Sequence, residues 1–307
     1  MLARRGLVVW LLDQVARLKA GDNSRFLVVT PGGKYSLGAE WRVGMVSTHL
    51  PCGDATIFVK QTDLNDNPGD GGCEEPDTKR PRLDLNRTGA KPVAGGGDLL
   101  GPGLAYHRAG QLRTKPGRGA TTASLSCSDK MLKWAAAGLQ GALCSHLLAS
   151  LHLDTLVIAG DVFHRGALLR ALHDRAVSEQ CGAGRLHRTE VFNVRTQFEF
   201  HRSEARPQPS PDSVVWVDTA GGGTHEALTE GHKQGWARAK LGNPKAWSIL
   251  CQRNIFRKFC DVYPSLSCLT YADAKKSSPQ YKYMKSLGLD IFHQWPSKLQ
   301  SDFIVDL

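Results

Sequence analysis

Residues 126–143 read SCSDKMLKWAAAGLQGAL and place a cysteine at the start of a predicted helix. Asp129 is a favourable cap residue, so we expect the helix to run from Lys130 to about Leu151. A helix N-terminus lowers the pKa of a thiol, because the backbone N–H groups and the helix dipole favour the thiolate. Zinc binds the thiolate form, so Cys127 is a candidate metal ligand.

Cys52 has a related setting, Pro51-Cys52-Gly53-Asp54, at the end of a predicted strand. If this turn also starts a helix, two thiolates could converge on one metal ion. The alternative is that both are ordinary buried cysteines, a common role of a free thiol. The eight cysteines include no CxxC pair and no dense framework, so we expect reduced thiols in an intracellular protein, nuclear or cytoplasmic.

Strand-like and helix-like segments alternate along the chain. The predicted strands cover residues 25–30, 41–49, 155–159, 189–195 and 214–218. Predicted helices cover the first 18 residues, 130–151, 167–177, 246–262 and a segment within 278–287. This alternation predicts an α/β fold with a sheet covered by helices on both faces. No stretch is long and apolar enough to span a bilayer.

Two polar segments interrupt what we treat as a single domain over residues 1–307. Residues 61–103 are rich in Gly, Asp, Pro and Asn, and they predict a disordered insertion that could not bury enough surface to offset its chain entropy. Residues 203–212 are proline-rich and predict a flexible loop.

The formal charge of the chain is +10, and its isoelectric point is near 9.3. This balance favours polyanionic partners such as RNA, DNA or phosphorylated small molecules. The alternative is a basic but otherwise ordinary enzyme, which charge alone does not exclude.

Two motifs together resemble those of the editase family, the adenosine deaminases that act on RNA. The first motif is residues 46–55, VSTHLPCGDA, and the second is Ser126–Lys130 followed by Gln140-Gly141-Ala142-Leu143. The resemblance covers the chain from Arg4 onward, apart from the polar insertions. It implies a cytidine-deaminase-like three-layer α-β-α sandwich with a helical C-terminal extension. It also implies one zinc ion, held by one histidine together with Cys52 and Cys127, and hydrolytic conversion of adenosine to inosine.

The family's His-Ala-Glu motif, which supplies the third zinc ligand and the proton-transferring glutamate, has no counterpart in the 307 residues. Arg4 and Arg5 match the arginines that follow this motif, so Met1 stands where the residue after the glutamate belongs. We therefore expect an N-terminally truncated chain that is inactive by itself, because losing a general acid/base costs ~10²–10⁴ in rate. The alternative is a catalytically dead RNA- or inositol-phosphate-binding fragment. A structural zinc protein, which needs four ligands, is a weaker alternative.

The resemblance further implies that inositol hexakisphosphate is buried in the core against basic and aromatic residues. The residues expected to hold it are Arg4, Arg5, Lys115, Lys130, Lys133, Trp134, Lys245, Tyr271, Lys275, Tyr281, Lys285, Trp295 and Lys298. If these lysines are buried, a polyanion is required, because unpaired buried charge is very costly. From the residues alone, the pattern is typical of ordinary surface lysines.

Residues 113–119 predict a basic loop, in which Arg113 and Arg118 either contact RNA phosphates or form a surface turn. The segment Lys115-Pro116-Gly117-Arg118-Gly119 resembles the tRNA-specific branch of the family, which modifies an adenosine beside the anticodon of alanine tRNA. A deaminase of duplex RNA is the alternative.

Overall fold

The structure is a computed structural model, and it contains both helices and sheets, as the sequence predicts. It describes residues 1–60, 83–93, 97–115, 122–177, 186–196, 198–199, 210–286, 295 and 302–304. The helices of this part are α1 Leu2–Lys19, α2 Cys127–Ala137, α3 Gly141–Cys144, α4 Arg165–Leu172, α5 Gln252–Val262, α6 Tyr271–Lys276 and α7 Pro279–Ser286. The strands are β1 Leu27–Val29, β2 Tyr35–Leu37, β3 Gly44–Ser47, β4 Phe58–Val59, β5 Leu85–Asn86, β6 Lys91–Pro92, β7 Arg113–Thr114, β8 Thr155–Ala159, β9 Glu190–Val194, β10 Asp212–Val217, β11 Thr224–Thr229 and β12 His232–Lys233. No helix among the described residues is long and apolar enough to cross a membrane.

A parallel sheet of order β3-β8-β9 forms the centre of the fold. Its middle strand buries Leu156 and Ile158 completely. The helices α2 and α4 pack Met131, Leu168 and Ala171 into the same apolar cluster. Because the strands are parallel, the loop that follows β3 and carries Cys52 leaves the sheet at the carboxyl ends of the strands.

Helix α1 packs between the rest of the core and a second sheet. Its apolar residues Val8, Leu11, Leu12 and Val15 follow helical spacing and are buried in a cluster with residues of α5. The second sheet is antiparallel, of order β10-β11-β12, and packs against Val9 of α1. Helix α1 is therefore held on two sides, which fixes the position of its first turn.

The prediction of a single helix from residue 130 to about 151 is wrong. The structure has α2, which ends at Ala137, and then the short α3, because Gly138 and Gly141 both have positive φ angles and break the helical path. The capping residue is also different from the prediction. Ser126 is the N-cap and accepts a hydrogen bond from the Asp129 N–H, so the helix already begins at Cys127.

Part of the predicted disordered insertion is ordered. Residues 83–93 contain β5 and β6, which pair with β4 and β7. Leu85 and Ala90 are buried there, although the segment has few large apolar residues. The prediction of disorder is therefore wrong for 83–93 and 97–103, while residues 61–82 and 94–96 lie outside the described residues. Of the predicted loop over 203–212, residues 203–209 also lie outside them, and β10 begins at Asp212.

Candidate functional site

The two cysteine loops meet directly. The backbone N–H of Cys127 donates a hydrogen bond to the Sγ atom of Cys52 over 3.4 Å. The N–H of Ser128 donates to the backbone oxygen of Cys52 over 3.1 Å. Both thiols are half-buried. The convergence expected from the sequence is therefore present, and the amide that contacts Cys52 belongs to the first turn of α2.

Gly53 allows this close approach. Its φ is +107°, and an added Cβ would lie 2.6 Å from Ser128 Oγ and 2.7 Å from Ser126 Cβ, and would also overlap Ser126 Oγ. Only glycine fits both the backbone conformation and the space. The Pro-Cys-Gly-Asp order of the first motif is thus explained by its packing against the second motif.

Each cysteine is followed two residues later by a completely buried aspartate. Asp54 accepts hydrogen bonds from the Gly110 N–H over 2.6 Å and from Arg170 Nε over 3.0 Å. Asp129 accepts from the Arg113 N–H over 2.9 Å and is ion-paired with Arg175. Both carboxylates therefore have charged partners, as buried charges require.

The charges around the thiols favour one thiolate. The hydrogen bond from the Cys52 thiol lowers the pKa of Cys127, and the positive charges of Lys115, of the Met1 amino group and of Lys130 lower it further. The pKa of Cys52 is raised, because this thiol keeps its proton in that hydrogen bond. Burial lowers the pKa of the Met1 amino group, and the charge of Cys127 opposes that shift. The N-terminal end of α1 thus lies beside the thiol pair.

The thiol pair brings two sulfur atoms together at the start of α2. Among the described residues, no group of three or more His, Cys, Asp and Glu side chains could hold a metal ion. A catalytic zinc site uses three protein ligands and an open position, so two cysteines alone are one ligand short of such a site.

A second group of side chains is cationic and lies further along α1. Arg4 and Arg5 both lie near the Tyr271 hydroxyl of α6, and Arg4 also lies near Lys275. Burial lowers the pKa of Arg4, and burial together with the charge of Arg4 lowers the pKa of Lys275. Neither Arg4 nor Lys275 has a carboxylate partner within 4.0 Å in the described part of the chain, so the positive charge of this cluster is not balanced there by an ion pair.

The other residues predicted for the anion site occupy different positions. Lys115 and Lys130 border Cys127. Lys133 places its Nζ 5.0 Å from the ring centre of Trp295, and Trp134 is buried in the apolar core. Lys245 and Tyr281 of α7 are exposed, so the condition of burial is not met at these two positions. The side chain of Lys285 and the whole of Lys298 lie outside the described residues.

The expected RNA contact of Arg113 is wrong. Its side chain is completely buried and donates hydrogen bonds to both carboxylate oxygens of Asp98, over 2.8 and 2.6 Å. Further bonds reach the backbone oxygens of Ala90 and Arg108. Arg113 therefore joins the ordered part of the predicted insertion to the second cysteine loop. Arg118 lies outside the described residues.

The local sequence motifs did not identify Arg170 and Arg175, nor the ion pairs that these arginines make with Asp54 and Asp129. A signal for the aspartates was present, because both cysteines occur in the pattern Cys-x-Asp. Nothing local identified the arginines, since their partners are 116 and 46 residues away in the sequence.

Comparison with known proteins agrees with this geometry. The family model described as the adenosine-deaminase (editase) domain matches residues 1–299. A relative from Mus musculus, tRNA-specific adenosine deaminase 1, is 28% identical over 87% of this chain and 71% of its own length. The protein of the same name from Homo sapiens is 30% identical over 91% of this chain and 59% of its own length. A double-stranded RNA-specific adenosine deaminase from Mus musculus is 25% identical over 98% of this chain and 26% of its own length. The chain, with its two converging Cys-x-Asp motifs, therefore belongs to the editase family of adenosine deaminases.

Proposed function

We propose that this chain belongs to a zinc-dependent deaminase that converts adenosine to inosine in tRNA. The observation that carries the proposal is the contact between the Cys127 amide and the Cys52 sulfur, which brings two candidate zinc ligands together at the start of α2. We further propose that the central sheet and its helices form a cytidine-deaminase-like three-layer α-β-α sandwich.

In this proposal Cys52 and Cys127 hold the zinc ion together with a histidine that the 307 residues do not supply. A zinc ion in such a site supplies an activated water for attack on adenine C6. The chain's own residues fix the two sulfur atoms, while Lys115 and Lys130 favour the thiolate form of Cys127. None of the 11 histidines is followed two residues later by glutamate, so the 307 residues by themselves are proposed to be inactive.

The half-buried cations of α1 and α6 support inositol hexakisphosphate as a second bound group. Arg4, Arg5 and Lys275 would contact its phosphates, and the Tyr271 hydroxyl would donate a hydrogen bond. Such a polyanion would offset the cost of burying Arg4 and Lys275, which lack carboxylate partners among the described residues.

The tRNA substrate is supported by the names of the relatives from Mus musculus and Homo sapiens. The match to a double-stranded RNA-specific deaminase has lower identity and covers a smaller share of that protein. We therefore propose tRNA as the substrate, and the anticodon loop of alanine tRNA as the site of modification.

The experiment that tests this function compares three proteins: the 307-residue chain, the chain with His-Ala-Glu placed directly before Met1, and a matched control with His-Ala-Gln. Each is incubated with alanine tRNA and, separately, with a long RNA duplex, and inosine is quantified. We expect the His-Ala-Glu protein to form inosine in alanine tRNA and the 307-residue chain to form none. The rate of inosine formation should be ~10²–10⁴ lower in the His-Ala-Gln control.

Two other outcomes would change the assignment. Inosine formation in the duplex but not in tRNA would identify a duplex-RNA deaminase. If the folded His-Ala-Glu protein binds tRNA or inositol hexakisphosphate without forming inosine in either RNA, the chain is a binding protein, and the proposed reaction is wrong.

A further inference from the structure

One short segment of the chain contacts both cysteine loops. Arg170, in α4, is bound to Asp54, and Arg175, in the 3₁₀ turn Asp174–Ala176, is bound to Asp129. The two aspartates stand at the same position of their motifs, two residues after Cys52 and after Cys127. One short segment, from α4 into the following 3₁₀ turn, therefore connects two loops whose cysteines are 75 residues apart in the sequence.

Arg170 holds the backbone of the first loop as well as its carboxylate. Besides the bond from Nε to Asp54, its terminal nitrogen donates to the backbone oxygens of Asp54 over 2.9 Å and of Ile57 over 2.6 Å. These three bonds surround the 3₁₀ turn Asp54–Thr56, which directly follows Cys52 and Gly53. Because the planar guanidinium fixes several acceptors at once, the position of this turn depends on the position of α4.

Arg175 holds the second loop in the same way. Its side chain is 3% exposed, and besides Asp129 it binds the backbone oxygens of Gln111 over 2.9 Å and Ala171 over 3.0 Å. Asp129 also accepts a hydrogen bond from Ser126 Oγ over 2.6 Å, so its carboxylate joins Arg175 to the cap of α2. A displacement of Asp129 therefore displaces the turn that carries Cys127.

We propose that Arg170 and Arg175 are positioning residues that set the separation between the Cys52 and Cys127 sulfur atoms, and thereby prepare the pair to bind one metal ion. This inference rests on the proposed zinc site. Across the contact itself, the loops are joined by the hydrogen bonds from the amides of Cys127 and Ser128 and by the hydrogen bond between the two thiols, which are weak compared with charged pairs. The two arginines supply the stronger, charged bonds, Arg170 to the first loop and Arg175 to the second, from one continuous segment of 165–176.

The experiment measures the geometry of the thiol pair without zinc and without turnover. Phenylarsine oxide binds tightly only where one arsenic atom can bond two thiols, so its affinity reports how close the two sulfur atoms lie. The variants are Arg170→Met and Arg175→Met, and the matched control is Arg165→Met, an exposed arginine of the same helix that contacts the backbone oxygen of Val191. A Cys127→Ser chain measures binding by the other cysteines.

The expected result is a roughly 10–100-fold loss of phenylarsine oxide affinity in Arg170→Met and in Arg175→Met, the range found when the partners of metal ligands are removed. The affinity of Arg165→Met should not change. Arg170→Lys and Arg175→Lys keep the positive charge but lose the planar guanidinium that binds several acceptors at once. These variants should therefore recover only part of the affinity. Circular dichroism and thermal unfolding establish that each variant is folded at the assay temperature.

Two results would overturn the inference. The first is unchanged phenylarsine oxide affinity in folded Arg170→Met and Arg175→Met. The second is failure of both the methionine and the lysine variants to fold, which would make the arginines general structural residues. The two proposals can fail independently. If the deaminase function is wrong, no inosine forms in the tRNA assay, although the unsubstituted chain still binds phenylarsine oxide.

Discussion

Replacing Gly53 with alanine tests whether the contact between the two cysteine motifs depends on the absence of a side chain. The residue has φ +107° and ψ −142°, a region that is essentially restricted to glycine. An added Cβ meets Ser128 Oγ at 2.6 Å and Ser126 Cβ at 2.7 Å. These neighbours are buried, and Ser126 caps α2, so they have little freedom to move away.

The expected cost has two parts. Backbone strain in this region costs of order 1–3 kcal/mol. Crowding in a packed interior costs roughly 1–3 kcal/mol more. The free energy of unfolding should therefore fall by about 2–6 kcal/mol, a large share of the roughly 5–15 kcal/mol that is typical of folded domains.

The assay is urea unfolding followed by circular dichroism, with the free energy taken from linear extrapolation. Gly33→Ala is the matched control, because Gly33 also has a positive φ of +74° but no heavy atom within 4 Å of an added Cβ. It should lose only the strain contribution, roughly 1–2 kcal/mol. Equal losses in Gly53→Ala and Gly33→Ala would refute the claim that the two motifs are packed against each other at Gly53.

Two further predictions concern buried charges. Burial alone raises the pKa of Asp98, but hydrogen bonds from Arg113 and other donors outweigh it and hold the pKa well below 3.8. Because the folded-state pKa lies below the unfolded value, this stabilisation is complete above the unfolded pKa and is lost as the pH falls through the folded one. Asp98→Asn should therefore lower the free energy of unfolding by about 3–5 kcal/mol at pH 7. It should also make that free energy less dependent on pH in the acid range. Urea unfolding that shows the same acid dependence with and without the substitution would contradict this. Lys275→Met should keep or raise the thermal midpoint of the ligand-free chain, because it removes a half-buried cation whose pKa is lowered by burial. It should also reduce the stabilisation by added inositol hexakisphosphate. Lys276→Met, at an exposed neighbour, is the control, and an equal ligand-induced shift in both variants would argue against an anion site at Lys275.

The sequence predicted those elements that local pattern determines. The strand over 155–159 has the predicted bounds, because a short apolar β-branched run fills the middle of a parallel sheet. Helix α7 begins at Pro279, which fits the first turn of a helix because its missing N–H is not needed there. The two cysteine motifs were identified from their flanking residues, and the structure brings them into contact.

Features that depend on distant contacts were not predicted. Residues 83–93 are polar enough to suggest disorder, yet they are ordered because β5 and β6 pair with strands outside the segment. Arg113 resembles a surface residue in sequence, but Asp98 supplies a buried partner for it 15 residues earlier. The ends of α2 and α3 depend on the positive φ angles of Gly138 and Gly141, which helical periodicity does not reveal.

The most direct test of the central claim is the zinc content of the chain with His-Ala-Glu placed before Met1, measured by elemental analysis after exhaustive dialysis. If Cys52 and Cys127 hold zinc, we expect one tightly held zinc ion per chain and its loss in both Cys52→Ser and Cys127→Ser. Cys268→Ser, at an exposed cysteine, is the matched control and should keep its zinc. Zinc that remains at the same level after substitution of Cys52 and Cys127, or no zinc in the folded extended chain, would contradict it.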